Sequence, residues 1–217
     1  MADMAILNEI SELMQKGRAP KVKALVAQAL EEGIPAKTIL EDGLLAAMNI
    51  VGEKFKNNEV FVPDVLVAAR AMNMGVAILK PHLASEDTGA KGTVVIGTVK
   101  GDMHDIGKNL VRMMLEGRGL NVVDLTVDVS PEAFVDAAVE NNAQIICCSA
   151  LLTTTLVEME NVVKLLNERG LHDKIKVMIG GAPVTQAYAD QIGADRYTGD
   201  AATAAEVAVA LCEELLG

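Results

Sequence analysis

The sequence predicts two domains: a bundle of four helices, followed by an α/β domain built on a five-stranded parallel sheet. Three observations predict this. The first 83 residues or so carry helical periodicity and nothing else. From residue 93 onward, short apolar runs alternate with amphipathic stretches five times. Between them lies a short segment with neither pattern.

In the first part, Ile6, Leu7, Ile10, Leu13 and Met14 fall on one helical face. Val22, Leu25, Val26, Ala29 and Leu30 do the same between Pro20 and Gly33. Pro35 suits a first helical position, and Leu40, Leu44, Ala47, Met48, Val51 and Phe55 continue at helical spacing. Lys56-Asn57-Asn58-Glu59 is a polar connection, and Pro63 opens a fourth helix carrying Val62, Leu66, Ala69, Met72, Val76 and Leu79. One apolar stripe per helix and short connections make a bundle. Gly43 and Gly75, inside helices, mark close helix contacts. From Ala84 to Gly92 the residues turn small and polar without periodicity, which places a boundary there and gives domains of 1–88 and 89–217.

Past the boundary, strands are expected at 93–99, 120–126, 143–149, 175–180 and 194–197. Helices are expected at 106–116, 131–140, 155–168, 184–191 and 201–216. Five β-then-α units mean a parallel sheet with helices on both faces. Ligands of such sheets bind beyond the carboxyl ends of the strands.

Composition sets limits on function. Hydrophobic residues make up 51% and charged residues 23%, as in a folded protein with a sizeable core. Aromatics are only 2%, so aliphatic residues and 11 Met fill that core. A net charge of −11 argues against nucleic acid and against an anionic membrane surface. No signal-peptide pattern opens the chain, and no run approaches the ~18 apolar residues of a spanning helix. Three cysteines, two of them adjacent, form neither a disulfide framework nor a zinc spacing. A cytoplasmic protein is expected.

Chemistry gathers at the strand ends. The first strand runs into Gly101-Asp102-Met103-His104-Asp105-Ile106-Gly107. A neutral imidazole is a good metal ligand, and a carboxylate two residues away can accept the proton of its other nitrogen and fix its tautomer. Gly107 leaves the backbone bare where the helix starts. Alone, Asp102-x-His104-x-x-Gly107 suits a helix cap and a solvated histidine equally well. The third strand ends at Ser149-Ala150-Leu151-Leu152-Thr153-Thr154-Thr155, the fourth at Gly180-Gly181-Ala182-Pro183, and the fifth leads into Tyr197-Thr198-Gly199-Asp200. Hydroxyls and bare backbone on neighbouring loops suit a large, polar, extended ligand.

These residues match the cobalamin-binding signature: Asp102-x-His104-x-x-Gly107, then Ser149-x-Leu151, then Gly180-Gly181. The N-terminal half, notably Asp42-Gly43, Val51-Gly52, Phe55, Phe61-Val62-Pro63, Ala69-Arg70-Ala71-Met72 and Leu79-Lys80-Pro81, resembles the helical cap domain of cobalamin-dependent methionine synthase. With no catalytic domain attached, the chain resembles the free-standing corrinoid proteins of microbial methyltransferase systems. The resemblance implies a helical cap followed by a Rossmann-like (flavodoxin-like) cobalamin-binding domain.

It also implies roles. His104 would replace the cofactor's own dimethylbenzimidazole as lower axial cobalt ligand, giving cobalamin bound base-off and His-on. Met103, Asp105, Ile106 and Gly107 would complete that loop. The displaced nucleotide tail would run past Ser149, Leu151, Thr153, Gly180, Gly181 and Ala182, towards Tyr197, Gly199 and Asp200. Asp102 would bond the far nitrogen of His104, and Thr155 would bond Asp102. Phe55 and Val62 would cover the upper face of the corrin. The cobalt would cycle between Co(I) and methylcobalamin, that is methyl-Co(III). The methyl group would come from a substrate through one methyltransferase and pass to a second that serves a pterin, such as tetrahydrofolate, or a thiol. A reductive activase would rescue Co(II).

Two other classes share the lower motif: a cobalamin-binding subunit of a mutase or aminomutase, and a cobalamin-responsive regulator. The first would lack the match to the cap, and the second needs a basic DNA-binding element that an acidic N-terminus does not supply. The methyl donor (methanol, a methylamine, glycine betaine or an aryl methyl ether) is chosen by the partner enzyme. His82 and His172 read as surface histidines, Cys147 and Cys148 as core residues on opposite faces of a strand, and Met48, Met72 and Met74 as core filling.

Overall fold

The computed structural model describes residues 2–83 and 91–217, which divide into two compact units. Of the expected connection at 84–92, all but Lys91 and Gly92 lies outside the described residues.

The first unit is helical. It contains α1 (Ala2–Gln15), α2 (Ala19–Glu31), a continuous rod made of α3 (Ala36–Thr38), a π-helical stretch (Ile39–Leu45) and α4 (Ala46–Lys56), and finally α5 (Val62–Leu83). The four expected helices are therefore present. The π-helical stretch is invisible to a 3.6-residue period. It holds Gly43, where a Cβ would lie 3.5 Å from both Leu7 and Ile10, so α1 packs close to the rod there. Gly75 on α5 serves the same purpose: a Cβ would lie 2.8 Å from Leu44. Ile10, Met14, Val22, Val26, Ile39, Leu44, Met48, Met72 and Leu79 are buried at the centre.

One expectation needs correcting. The window Val62–Leu79 of α5 has a mean hydropathy of 1.5 over 18 residues and is long and apolar enough to cross a membrane. Within it Val65, Ala68, Ala69, Ala71, Met72 and Leu79 are buried in the bundle, while Leu66 and Val67 are exposed. The helix begins at Val62, ahead of Pro63, and the Phe61 N–H donates to Asp64 Oδ2 at 2.9 Å to close its first turn.

The second unit alternates strand and helix: β1 (Thr93–Thr98), α6 (Ile106–Gly117), β2 (Asn121–Asp124), α7 (Pro131–Glu140), β3 (Ile145–Ser149), α8 (Val157–Glu168), β4 (Lys176–Gly180), α9 (Gln186–Ile192), β5 (Arg196–Tyr197) and α10 (Ala201–Leu216). All pairings are parallel, in the order β2-β1-β3-β4-β5. That is the flavodoxin-like doubly wound order, whose switch point lies between β1 and β3. Register places Thr98 beside Ser149 and Ser149 beside Gly180, so three loops leave the sheet at one level. All five strands are shorter than expected by one to three residues: β2 loses most, stopping at Asp124 where a turn begins, and β5 keeps only two residues.

The β-branched strands are buried on both faces, as parallel sheets require. Phe134 of α7 is fully buried over Gly97, where a Cβ would meet its ring at 2.9 Å. Cys148 joins this cluster while its neighbour Cys147 is buried outside it, as alternation demands. Burial pushes the Cys147 thiol up to about 12 and that of Cys212 to about 11, so both are inert packing groups at neutral pH. Phe134→Ala should lower the unfolding free energy by ~3–5 kcal/mol, read from urea denaturation at unchanged slope. A loss near that of a surface substitution would place the core of this unit elsewhere.

Candidate functional site

At the end of β1, Gly101 adopts φ +79° and turns the chain outward. Asp102 then points back into the protein and is fully buried. Four N–H donors and one hydroxyl group surround its carboxylate. Oδ1 accepts the His104 N–H at 3.0 Å and faces His104 Nδ1 at 2.6 Å. Oδ2 accepts the N–H groups of Leu151 at 2.7 Å and Leu152 at 3.1 Å, with Thr155 Oγ1 at 3.3 Å. Burial alone would raise its pKa. The bonds from Leu151, from the His104 backbone and ring, and from Leu152 outweigh that and hold it well below the usual carboxylate range.

The consequence for His104 is a fixed ring. A carboxylate at Nδ1 places the proton there and leaves Nε2 with a lone pair. The side chain is 51% exposed, and Nε2 has no hydrogen-bond partner among the described residues. Thr98 Oγ1, itself buried, donates to the His104 carbonyl at 2.8 Å and holds the loop from below. Thr155 carries one hydroxyl proton and faces two acceptors: Leu152 O at 2.9 Å and Asp102 Oδ2 at 3.3 Å. The nearer is the backbone carbonyl.

Large apolar side chains stand exposed on the loop that holds this imidazole and on the one bonded to Asp102. Met103 (68%), Ile106 (77%), Leu151 (45%) and Leu152 (40%) are large exposed hydrophobic residues on the two adjoining loops. A Cβ at Gly107 would meet no protein atom within 4 Å, so no protein contact accounts for the glycine. Gly181 differs: its φ is +137°, and a Cβ there would run into the Ala150 carbonyl. Gly180 ends β4 with its Cα side 3.2 Å short of the Thr198 carbonyl, measured from where a Cβ would stand. Ser149 is half-buried beside it, and Thr153 and Ala182 are exposed on their loops.

Among the described residues no group of three or more His, Cys, Asp or Glu could hold a metal. A lone oriented imidazole in an apolar rim suits a metal that arrives in its own macrocycle, with one axial position to fill. The residues present therefore fit a corrinoid.

Comparison with known proteins agrees. A family profile described as a B12 binding domain matches residues 92–209, and a second one of the same description matches residues 6–80. The dimethylamine corrinoid protein of Methanosarcina barkeri is 45% identical over 217 residues, covering 100% of both chains. A chain of the methanol:cobalamin methyltransferase complex MtaBC from Methanosarcina barkeri superposes with a TM-score of 0.87 at 32% identity, over 96% of this chain and 80% of that one. A cobalamin-binding protein from Desulfitobacterium hafniense DCB-2 gives 0.77 at 31% identity, over 97% and 98%. The chain belongs to the B12-binding corrinoid proteins.

In this corrinoid protein some expected site residues have other employment. Asp200 caps α10, accepting the Thr203 N–H at 2.8 Å and its hydroxyl at 2.7 Å. Asp105 accepts from Asn109 Nδ2 at 3.1 Å across the first turn of α6. Tyr197 is half-buried in β5, with its hydroxyl 3.4 Å from where a Cβ on the exposed Gly199 would stand. Phe55 and Val62 are half-buried within the helical unit, and Phe61 beside them is 65% exposed. His172 is no plain surface residue: its ring lies 2.7 Å from Asn167 Oδ1 and 2.8 Å from Asp195 Oδ2.

Sequence reasoning missed the loop after β2. Asp128 Oδ1 accepts the Gly101 N–H at 2.7 Å, and the Asp128 N–H donates to the Asp102 carbonyl at 3.1 Å. Both Thr126 (φ 69°) and Asp128 (φ 56°) adopt left-handed backbone, a strained choice for a β-branched threonine. No short motif marks such residues; only their position after a strand adjoining β1 could have pointed to them.

The linkage sign follows from the lowered Asp102 value. An unfolded Asp titrates near ~3.9, so the stabilisation is complete above ~pH 5 and is lost as the pH falls through that value towards the folded one. Urea unfolding of apoprotein should therefore show the stability gap between parent and Asp102→Asn narrowing from pH 6 to pH 3. A gap independent of pH would mean that the carboxylate charge does not hold the loop.

Proposed function

We propose that this chain is a corrinoid methyl carrier, serving a substrate-specific methyltransferase and a second methyltransferase that passes the methyl group to a pterin or thiol. The observation that carries the reading is His104, tied at Nδ1 by a buried carboxylate and left free at Nε2 inside an apolar rim. A bound corrinoid would supply a cobalt that takes up and releases a methyl group.

The chain's own residues do the rest. His104 would hold the lower axial position in a base-off, His-on arrangement, and Asp102 would keep its tautomer. Asp102, held ionised by its backbone donors, would be the charge partner of the imidazole. Met103, Ile106, Leu151 and Leu152 would lose their exposure against the ring. Ser149, Thr153, Gly180, Gly181 and Ala182 would line the path of the nucleotide tail, with Gly181 kept bare by the Ala150 carbonyl. Phe55 and Val62 would shield the methyl group from above. Likeness to corrinoid proteins over both units favours this reading over a mutase subunit or a regulator.

The donor class best supported is a methylamine or methanol, from the names of the similar proteins. A reductive activase would complete the system, and three free buried cysteines are in keeping with the cytoplasm. The test is methyl loading of cobalamin-reconstituted protein with dimethylamine, other methylamines or methanol. Loading should occur only when a cognate methyltransferase is added, and the pure holoprotein should demethylate nothing. Turnover without a partner would overturn the carrier role.

A further inference from the structure

Lys108, in the first turn of α6 four residues after His104, is only 2% exposed. Its Nζ donates to Asp124 Oδ1 at 2.6 Å and to Asn109 Oδ1 at 2.8 Å. Nothing in the methyl-carrier reading uses this ammonium. A buried ion pair is a weak source of stability, because desolvating both charges offsets much of their attraction, so its presence beside the site calls for another reason.

The connections supply one. Asp124 ends β2, and its Oδ1 also accepts the Thr126 N–H at 2.9 Å. The Thr126 carbonyl accepts the Thr98 N–H at 3.0 Å, and Thr98 Oγ1 holds the His104 carbonyl at 2.8 Å. From the same loop Asp128 holds Gly101 and Asp102, the residues that open the histidine turn. Arg112 Nε stands 3.5 Å from the other oxygen of Asp124. Asp124 is thus the point where the helix after His104 and the loop beneath His104 are fastened together.

We propose that the Lys108–Asp124 pair is a positioning device that sets where His104 presents Nε2, and so sets the strength of its axial bond to cobalt. Lys108 touches neither the imidazole nor its carboxylate; it acts through α6 and the loop after β2. The proposal rests on His104 being the axial ligand.

The test uses full-length protein reconstituted with hydroxocobalamin and reduced to Co(II), in the parent, Lys108→Met, Asp124→Asn and the double variant Lys108→Met/Asp124→Leu. Two readouts are taken: the fraction of Co(II) whose paramagnetic resonance shows a protein nitrogen, and the Co(II)/Co(I) midpoint potential. Lys108→Met should lower that fraction at least twofold and move the midpoint in the positive direction, since a weaker axial bond favours Co(I). The double variant, with an apolar pair in place of the ions, should recover stability without recovering the nitrogen signature. Asp124→Asn, which keeps an acceptor for Lys108, should fall between parent and Lys108→Met. Should Lys108→Met not fold, the double variant and Asp124→Asn carry the same readouts. A parent-like fraction and midpoint in the folded variants would make the pair purely structural and overturn the proposal. A parent without the nitrogen signature would overturn the axial-ligand reading itself, and with it anything built on positioning it.

Discussion

The structure of the site depends on one buried carboxylate. Asp102 lies after a central strand with no solvent to stabilise its charge, and its neighbours supply that stabilisation with four backbone and ring N–H groups. An unpaired charge there would cost several kcal/mol, so the loop at 149–155 must close on it for the fold to form. Two loops that meet at the switch point are thereby locked by the same atom pair that orients the imidazole. Orientation of His104 is a by-product of satisfying Asp102.

The same constraint explains the distribution of apolar surface. With Asp102 drawing Leu151 and Leu152 inward by their backbones, their side chains have only the outside left, and both remain 40% exposed or more. Met103 and Ile106 flank the histidine for a parallel reason: the turn that buries Asp102 sends its neighbours out. An apolar rim around a polar centre follows from backbone geometry and gives a flat ring a surface to cover.

Much of this was legible in the sequence because it is carried by local patterns. Five β-then-α units gave the sheet, helical stripes gave the bundle, and the Asp102–His104 contact is one that a spacing of two residues permits. What was not legible is carried by pairings across the fold. The π-helical stretch at Ile39–Leu45 has no 3.6-residue signature, and Gly43 within it lies against Leu7 and Ile10 of α1. Lys108 reads as an ordinary exposed helix residue until β2 brings Asp124 to it, and Asp128 reads as a turn residue until Gly101 donates to it. Asp200 shows another side of this: the sequence places it after a strand, and only the fold shows both its oxygens engaged in the N-cap of α10.

The central claim is that His104 Nε2 is the axial nitrogen. The direct measurement is paramagnetic resonance of the Co(II) holoprotein made with histidine carrying ¹⁵N in its ring. If the claim is right, the nitrogen splitting changes from three lines to two on labelling and is absent in His104→Ala. A three-line pattern that persists in the labelled protein would show the cofactor's own base still bound, and would contradict the account.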